Sequence, residues 1–357
     1  MRIVWTAVAG AALATAAYRA RKRRPVADLR GRTVLVTGGS RGLGLLLARG
    51  FGAAGCRVVI CARDDDELQR ALKDLSARDI DAHGLVCDLR DPAETATMVE
   101  RASGSGGLDI VVNNAGEIQV APVDATTRGA FESAMGAMFW GPRDVADAAL
   151  PHLRERGGTL VNITSIGGKV SPPHLLPYSC AKFAQVALSE GLDAELSKSG
   201  VRVLTVVPGL MRTGSHRRAV FSGAPAREYT WFALGASLPL VSMSGERAAS
   251  RIVEAVRCRQ RYLVLHPLTR AAMATHGAFP RLTLMGLRTM NRVLPESAGE
   301  PATSGLDASA RADNALLRAL TRLNDRASER LNQFVPTDPR RDGEGRGPDV
   351  SRTRQRP

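Results

Sequence analysis

The sequence predicts an α/β fold: one doubly wound parallel sheet of about seven strands, flanked by helices and followed by a helical C-terminal extension. Three observations predict it. Short apolar runs alternate with longer amphipathic stretches between residues 32 and 266. Several runs are β-branched without polar alternation, as expected of parallel strands buried on both faces. The chemistry-bearing motifs fall just after the runs, where such sheets bind ligands.

In order, the expected strands are Val34–Thr37, Val58–Ala62, Leu85–Cys87, Ile110–Asn113, Thr159–Thr164, Val201–Val206 and Tyr262–Leu265. Helices are expected over 42–54, 65–77, 92–103, 127–150, 175–198 and 245–258, where apolar residues recur at helical spacing. The Pro/Gly/Ser-rich stretch Pro295–Gly305 reads as a link to a last helix, in which Leu316, Leu320, Leu323, Ala327 and Leu331 form a stripe for packing on the body or a partner subunit. The organisation expected is an apolar N-terminal segment with a basic linker (1–30), the α/β domain (31–270), a helical extension (271–334) and a disordered tail (335–357) rich in Pro, Gly, Arg and Asp.

Composition excludes several classes. Apolar residues make up 44% of the 357, too many for a wholly disordered chain. No long apolar run recurs, which excludes a polytopic membrane protein. The net charge of +14 suggests polyanions, but only five of the 49 cations are lysines. Residues 19–32 hold seven cations and one acid, and no basic stripe carries interleaved aromatics. Nucleic acid is therefore not an expected partner. The odd set Cys56, Cys61, Cys87, Cys180 and Cys258 forms no Cys-x-x-Cys pair and reads as buried free thiols in a reducing compartment, with no metal site.

Residues 3–18 are mostly apolar and Ala-rich, and Arg19, Arg21, Lys22, Arg23 and Arg24 follow. A cleaved signal peptide has the opposite polarity. Two readings stand: an N-terminal anchor on the cytoplasmic face of the membrane, or an Ala-rich helix with no membrane role. Either way the expected location is cytoplasmic.

After the first strand comes Thr37-Gly38-Gly39-Ser40-Arg41-Gly42-Leu43-Gly44, leading into a helix. Glycines here permit a tight turn and let backbone N–H groups approach a pyrophosphate at the helix N-terminus. Asn113-Asn114-Ala115-Gly116 follows the fourth strand. Ser165 lies 13 residues before Tyr178, and Lys182 follows four residues later, on the same helical face. Pro208-Gly209 and Thr213 come after the sixth strand. These motifs, in this order over residues 30–266, closely resemble those of the short-chain dehydrogenase/reductase family.

The resemblance implies a Rossmann-like domain that binds a nicotinamide dinucleotide along Gly38, Ser40, Arg41, Gly42, Leu43, Gly44, Asn114, Ala115 and Gly116. It implies that Asp88 and Leu89 contact the adenine and that Pro208, Gly209 and Thr213 cover the nicotinamide. Tyr178 becomes the general acid/base, Lys182 its partner and holder of the ribose, and Ser165 the group that steadies the substrate oxygen. A phenol needs a nearby ammonium to exchange protons at neutral pH. The family often forms dimers or tetramers through helices equivalent to 127–150 and 175–198, so a homo-oligomer is implied.

Charge argues the cofactor choice. The second strand ends Cys61-Ala62-Arg63, without the carboxylate that holds a free ribose 2′-hydroxyl. Arg41 and Arg63 suit a 2′-phosphate, which points to NADP(H) over NAD(H). Asp64, Asp65 and Asp66 read as the first turn of the next helix.

One family residue is missing. In Ala137-Met138-Phe139-Trp140-Gly141, Met138 takes the place of an asparagine that helps hold a proton-relay water in the family. A thioether is a very weak acceptor and no donor. The expectation is a working enzyme with a rerouted relay; the rival is a weak or inactive dinucleotide-binding scaffold or redox sensor. An epimerase or dehydratase is disfavoured by the glycine spacing. The long stretch Leu210–Ser244 concentrates Tyr229, Trp231, Phe232, Leu234, Leu238, Leu240 and Met243, and Leu282, Leu284, Met285, Leu287 and Met290 lie beyond the last strand. Together these favour a lipophilic carbonyl or alcohol, although core packing accounts for any one of them.

Overall fold

The computed structural model describes residues 26–312 and 315–333. Seven parallel strands form the main sheet, in the order Tyr262–Val264, Arg202–Val207, Thr159–Ile163, Ile110–Asn113, Thr33–Thr37, Arg57–Ala62 and Ala82–Val86. The chain starts in the middle, builds outward to Ala82–Val86, then returns to the other side of its first strand at Ile110–Asn113. That reversal opens a crevice beyond the carboxyl ends of these two strands.

Period-two alternation sends the first strand's side chains into two cores. Val34 and Val36 pack with Leu45, Phe51 and Ile252 on one face. Leu35 packs with Leu108, Val145 and Leu153 on the other. The two faces are covered by separate helices, including Gly42–Ala53 and Gly245–Arg257 on one and Gly141–Arg156 on the other.

Most expected elements are present within one to three residues at either end. The expected helix 127–150 is interrupted: Arg128–Met135 passes through a π-helical stretch, Gly136–Trp140, into Gly141–Arg156. Single π-turns of this kind often mark functional sites.

Three expectations need correction. Pro295–Gly305 is not a plain link, because Glu300–Ser304 is a strand pairing antiparallel with Val220–Gly223. The last helix, Ala315–Arg330, and the residue after it bury only the C-terminal part of the expected stripe: Ala327 and Leu331 join the core, whereas Leu316 is 70% exposed, and Leu320 and Leu323 are also exposed. Its buried face carries Leu317, Thr321, Asn324, Ala327 and Ser328. Polar partners select that face. Asn324 accepts from the Gly214 N–H at 2.8 Å, and Asp325 pairs with Arg217 at 2.7 Å. Among the cysteines, Cys56, Cys61 and Cys87 are buried, but Cys180 is exposed and Cys258 partly so. The N-terminal apolar segment, its basic cluster up to Arg24 and the tail beyond residue 334 lie outside the described residues. Among those described, no helix is long and apolar enough to cross a membrane.

Candidate active site

The crevice is a cavity of about 700 Å³, and every candidate catalytic or cofactor-binding residue of the sequence reading lines it, from Gly38 through Thr213. Its floor is the glycine turn. Gly38 has φ +62, and a Cβ on Gly44 would lie 2.0 Å from the Gly38 carbonyl oxygen, so only glycine fits there. Asn114 braces this turn from the fourth strand, donating through Nδ2 to the carbonyls of Thr37 and Gly38 at 3.0 and 3.1 Å. In return the Thr37 hydroxyl accepts from the Asn114 and Ala115 N–H groups. The spatially adjacent strands thus lock two loops 77 residues apart into one cradle.

Ser165, Tyr178 and Lys182 meet at the carboxyl ends of the fifth and sixth strands. Ser165 is buried, accepts from the Gly167 N–H at 3.0 Å and shares a hydrogen bond with the Tyr178 hydroxyl. Loss of hydration raises the Tyr178 phenol above its ordinary range, and the serine bond opposes this. Lys182 is 4% exposed and its Nζ lies 6.0 Å from the Tyr178 ring centre. Burial pushes it down to about 7.

Lys182 Nζ donates to the Ile163 carbonyl at 2.9 Å and to Gln185 Oε1 at 2.8 Å. Fully buried Met138 sits across Gly116: a Cβ there would be 3.3 Å from Met138 Sδ and 3.9 Å from Lys182 Nζ. The thioether offers the ammonium nothing, and Gln185 supplies the oxygen instead. Gln185 Nε2 is buried without a partner.

The opposite end of the cavity is cationic, in a different way from the sequence expectation. Arg41 is not a free cation: its Nη1 reaches both carboxylate oxygens of Glu67 at 2.9 Å. Arg218 pairs with the same carboxylate, which is 3% exposed. Arg63 stands exposed at the rim and has no ion-pair partner among the described residues. Asp64 caps the next helix by accepting from the Glu67 N–H at 2.8 Å, with Asp65 and Asp66 in its first turn. The Asp88 carboxylate is tied to Arg90 at 3.0 Å, so that position offers backbone more readily than charge.

The sequence reading missed Glu67, Arg218 and the C-terminal segment. Leu331 accepts from the Gly42 N–H at 2.9 Å. Asn332 donates to the carbonyls of Ser40 and Glu67, each at 2.9 Å. Gln333 is 6% exposed, lines the cavity, and its Oε1 is buried without a partner. Glu67 could have been noticed as an acid at helical spacing from Asp64; nothing local marks residues 331–333, which lie 292 positions from Ser40.

At the catalytic end the wall is apolar. Trp231 and Phe232 of the helix Pro225–Ser237 line it with Leu175, Leu210, Met211 and Met290. Of the other expected apolar residues, Tyr229 is buried behind this wall, whereas Leu240, Leu282, Leu284 and Met285 are exposed.

Comparison with known proteins agrees with this geometry. Residues 32–220 match the family model for short chain dehydrogenases. A dehydrogenase/reductase SDR family protein 7-like of Anopheles gambiae is 31% identical over 260 residues, covering 70% of this chain and 79% of that protein. A protein named as a ketoacyl reductase of the granaticin polyketide synthase of Streptomyces violaceoruber is 35% identical over 184 residues, covering 50% and 67%. Among solved structures, a short-chain dehydrogenase from Streptomyces avermitilis superposes with a TM-score of 0.63 at 30% identity, covering 73% of this chain and 98% of its own. The actinorhodin polyketide ketoreductase with NADPH gives 0.58 at 27%, covering 66% and 95%. The chain belongs to the short-chain dehydrogenase/reductase family, and it is an oxidoreductase acting on C=O or CH–OH groups through a dinucleotide cofactor.

Proposed function

We propose that the protein is an NADP(H)-dependent reductase of lipophilic carbonyls, or the corresponding alcohol dehydrogenase, with Tyr178 as general acid/base. The observation that carries the reading is the polarity of one cavity: guanidiniums at one end, and the Ser165–Tyr178 pair against an apolar wall at the other. A glycine turn at the N-terminus of the helix Gly42–Ala53 lies between them and lines the cavity with backbone, which fits a bound pyrophosphate.

A bound nicotinamide would supply or accept the hydride. Ser165 holds the substrate oxygen by a hydrogen bond, and Tyr178 gives that oxygen its proton or removes it. Lys182, when charged, stabilises the Tyr178 phenolate and so makes the phenol an effective proton donor. Gln185 holds the Lys182 ammonium where Met138 cannot, which supports a working enzyme with an altered relay over an inactive scaffold. Arg63 is available for a 2′-phosphate, with Arg41 and Arg218 aligned behind it by Glu67. Exposed Trp140 and Phe183 on the two long helices favour a homo-oligomer formed there.

Titration of the protein with NADPH and NADH, followed by a screen of aliphatic and steroid-like ketones for cofactor oxidation, tests the proposal. NADPH should bind more tightly. Arg63→Glu should weaken it roughly 10- to 100-fold, the worth of a charge-assisted hydrogen bond, and leave NADH nearly unchanged. Tighter NADH binding would overturn the role of the arginines. NADPH binding without turnover on any carbonyl would favour the scaffold.

A further inference from the structure

Beyond the sheet, the helices Pro267–Ala278 and Pro280–Asn291 form a hairpin that buries almost nothing. Thr269 is its one fully buried residue, set against Gly209 of the cavity wall. The hairpin exposes Leu268, Phe279, Leu282, Leu284 and Met285, the last of these 59% exposed. In a molecule with a full core, five large apolar side chains on one projection form a patch that water alone does not explain.

Charge says what covers it. From Pro267 to Leu294 the sequence has four arginines, Arg270, Arg281, Arg288 and Arg292, and no acid. Elsewhere in the fold arginines are commonly paired, as Arg41, Arg49, Arg90, Arg217 and Arg218 are. None of these four has an ion-pair partner among the described residues. Arg281 and Arg288 recur at i and i+7 on one stripe of the second helix, Arg292 follows just past its end, and Met285 lies alongside the stripe. A second copy of the chain is a poor occupant, because a two-fold contact would set these arginines against themselves with no carboxylate between them.

We infer that this hairpin docks on an anionic phospholipid surface, its leucines, phenylalanine and methionine entering the headgroup–acyl boundary and its arginines meeting lipid phosphates and carboxylates. The hairpin is rooted on the active site at both ends of its length. Thr269 touches the Gly209 loop, and Met290 lines the cavity. Docking therefore sets the apolar end of the cavity beside the bilayer.

Flotation of the full chain with vesicles of phosphatidylcholine alone, or of phosphatidylcholine with phosphatidylserine, tests this without any turnover, so its outcome is independent of the substrate reading. The protein should float with the phosphatidylserine vesicles and much less with the neutral ones, and salt should weaken the association. The triple variant R281E/R288E/R292E should lower partitioning by at least about a hundredfold, since each cation near such a surface contributes on the order of 1 kcal/mol. L282S/M285S keeps the charge and should also weaken it; circular dichroism and NADPH binding confirm that both variants fold. Variants that float like the parent would place any lipid contact elsewhere in the chain and overturn the inference. So would equal flotation on neutral vesicles, no flotation by the parent, or variants that lose only self-association.

Discussion

Tyr178 and Lys182 illustrate how much a residue's surroundings add to its identity. Their spacing is legible in the sequence, but the depression of Lys182 to about 7 comes from burial that only the fold supplies. Replacing Tyr178 by Phe should cut turnover by about 10²- to 10⁴-fold while NADPH affinity holds, measured by initial rates beside a binding titration. Gln185 is a positioning residue, legible only once Lys182 Nζ is seen to donate to it. Gln185→Leu removes an acceptor of the ammonium, so the alkaline limb of kcat/KM should move to lower pH; Gln185→Glu should move it back up. Met138→Asn tests the altered relay from the other side: it should raise turnover, and an unchanged rate counts against that reading. Lys182 also links stability to pH. Folding in the ligand-free protein must discharge it between about 7 and its ordinary 10.5, because the unfolded chain keeps the proton there. Its contribution is therefore fullest above 10.5 and is lost as pH falls to about 7. Above about 9 the buried thiols of Cys56, Cys61 and Cys87, raised by burial, pull stability the other way. The Lys182 contribution is therefore read as a difference: denaturation midpoints of the ligand-free parent, relative to those of Lys182→Met, should climb as pH rises across that range.

At the scale of elements, the seven main strands and the helices between them were legible because each carries its own period and punctuation. Ile110–Asn113 and the helix Pro92–Ser103 match their expected bounds, the latter starting with Asp91 as cap and Pro92 in its first turn. The π-helical stretch around Met138 was not legible, since π and α turns share the same apolar spacing. The last helix misled for a different reason. Its leucine stripe obeys helical periodicity, yet Thr321, Asn324 and Ser328 face inward: Asn324 ties that side to the body by accepting from the Gly214 N–H and donating to the Ala236 carbonyl, while the Thr321 and Ser328 hydroxyls are satisfied within the helix. Just beyond it, residues 331–333 seal the glycine turn. Ending the chain at Arg330 should weaken NADPH binding roughly tenfold, the worth of one or two lost hydrogen bonds, with the fold retained by circular dichroism. A full-length affinity would place these residues outside cofactor binding.

For the whole molecule, the excess of arginine proved to be several things at once. Some arginines are structural, some ring one end of the cavity, and four on the exposed hairpin have no ion-pair partner among the described residues. Composition registers their number and not their arrangement. The sequence by itself determined the individual strands, the order of their motifs, the glycine turn and the spacing of Ser165, Tyr178 and Lys182, because each is written in residues close together in the chain. Tertiary structure alone decided that Arg41 is held by Glu67, that Lys182 donates to Gln185, that the C-terminal segment reaches the glycine turn, and that the hairpin is left bare. Those outcomes depend on which surfaces meet across long stretches of chain, and contacts at that separation leave no local period to read.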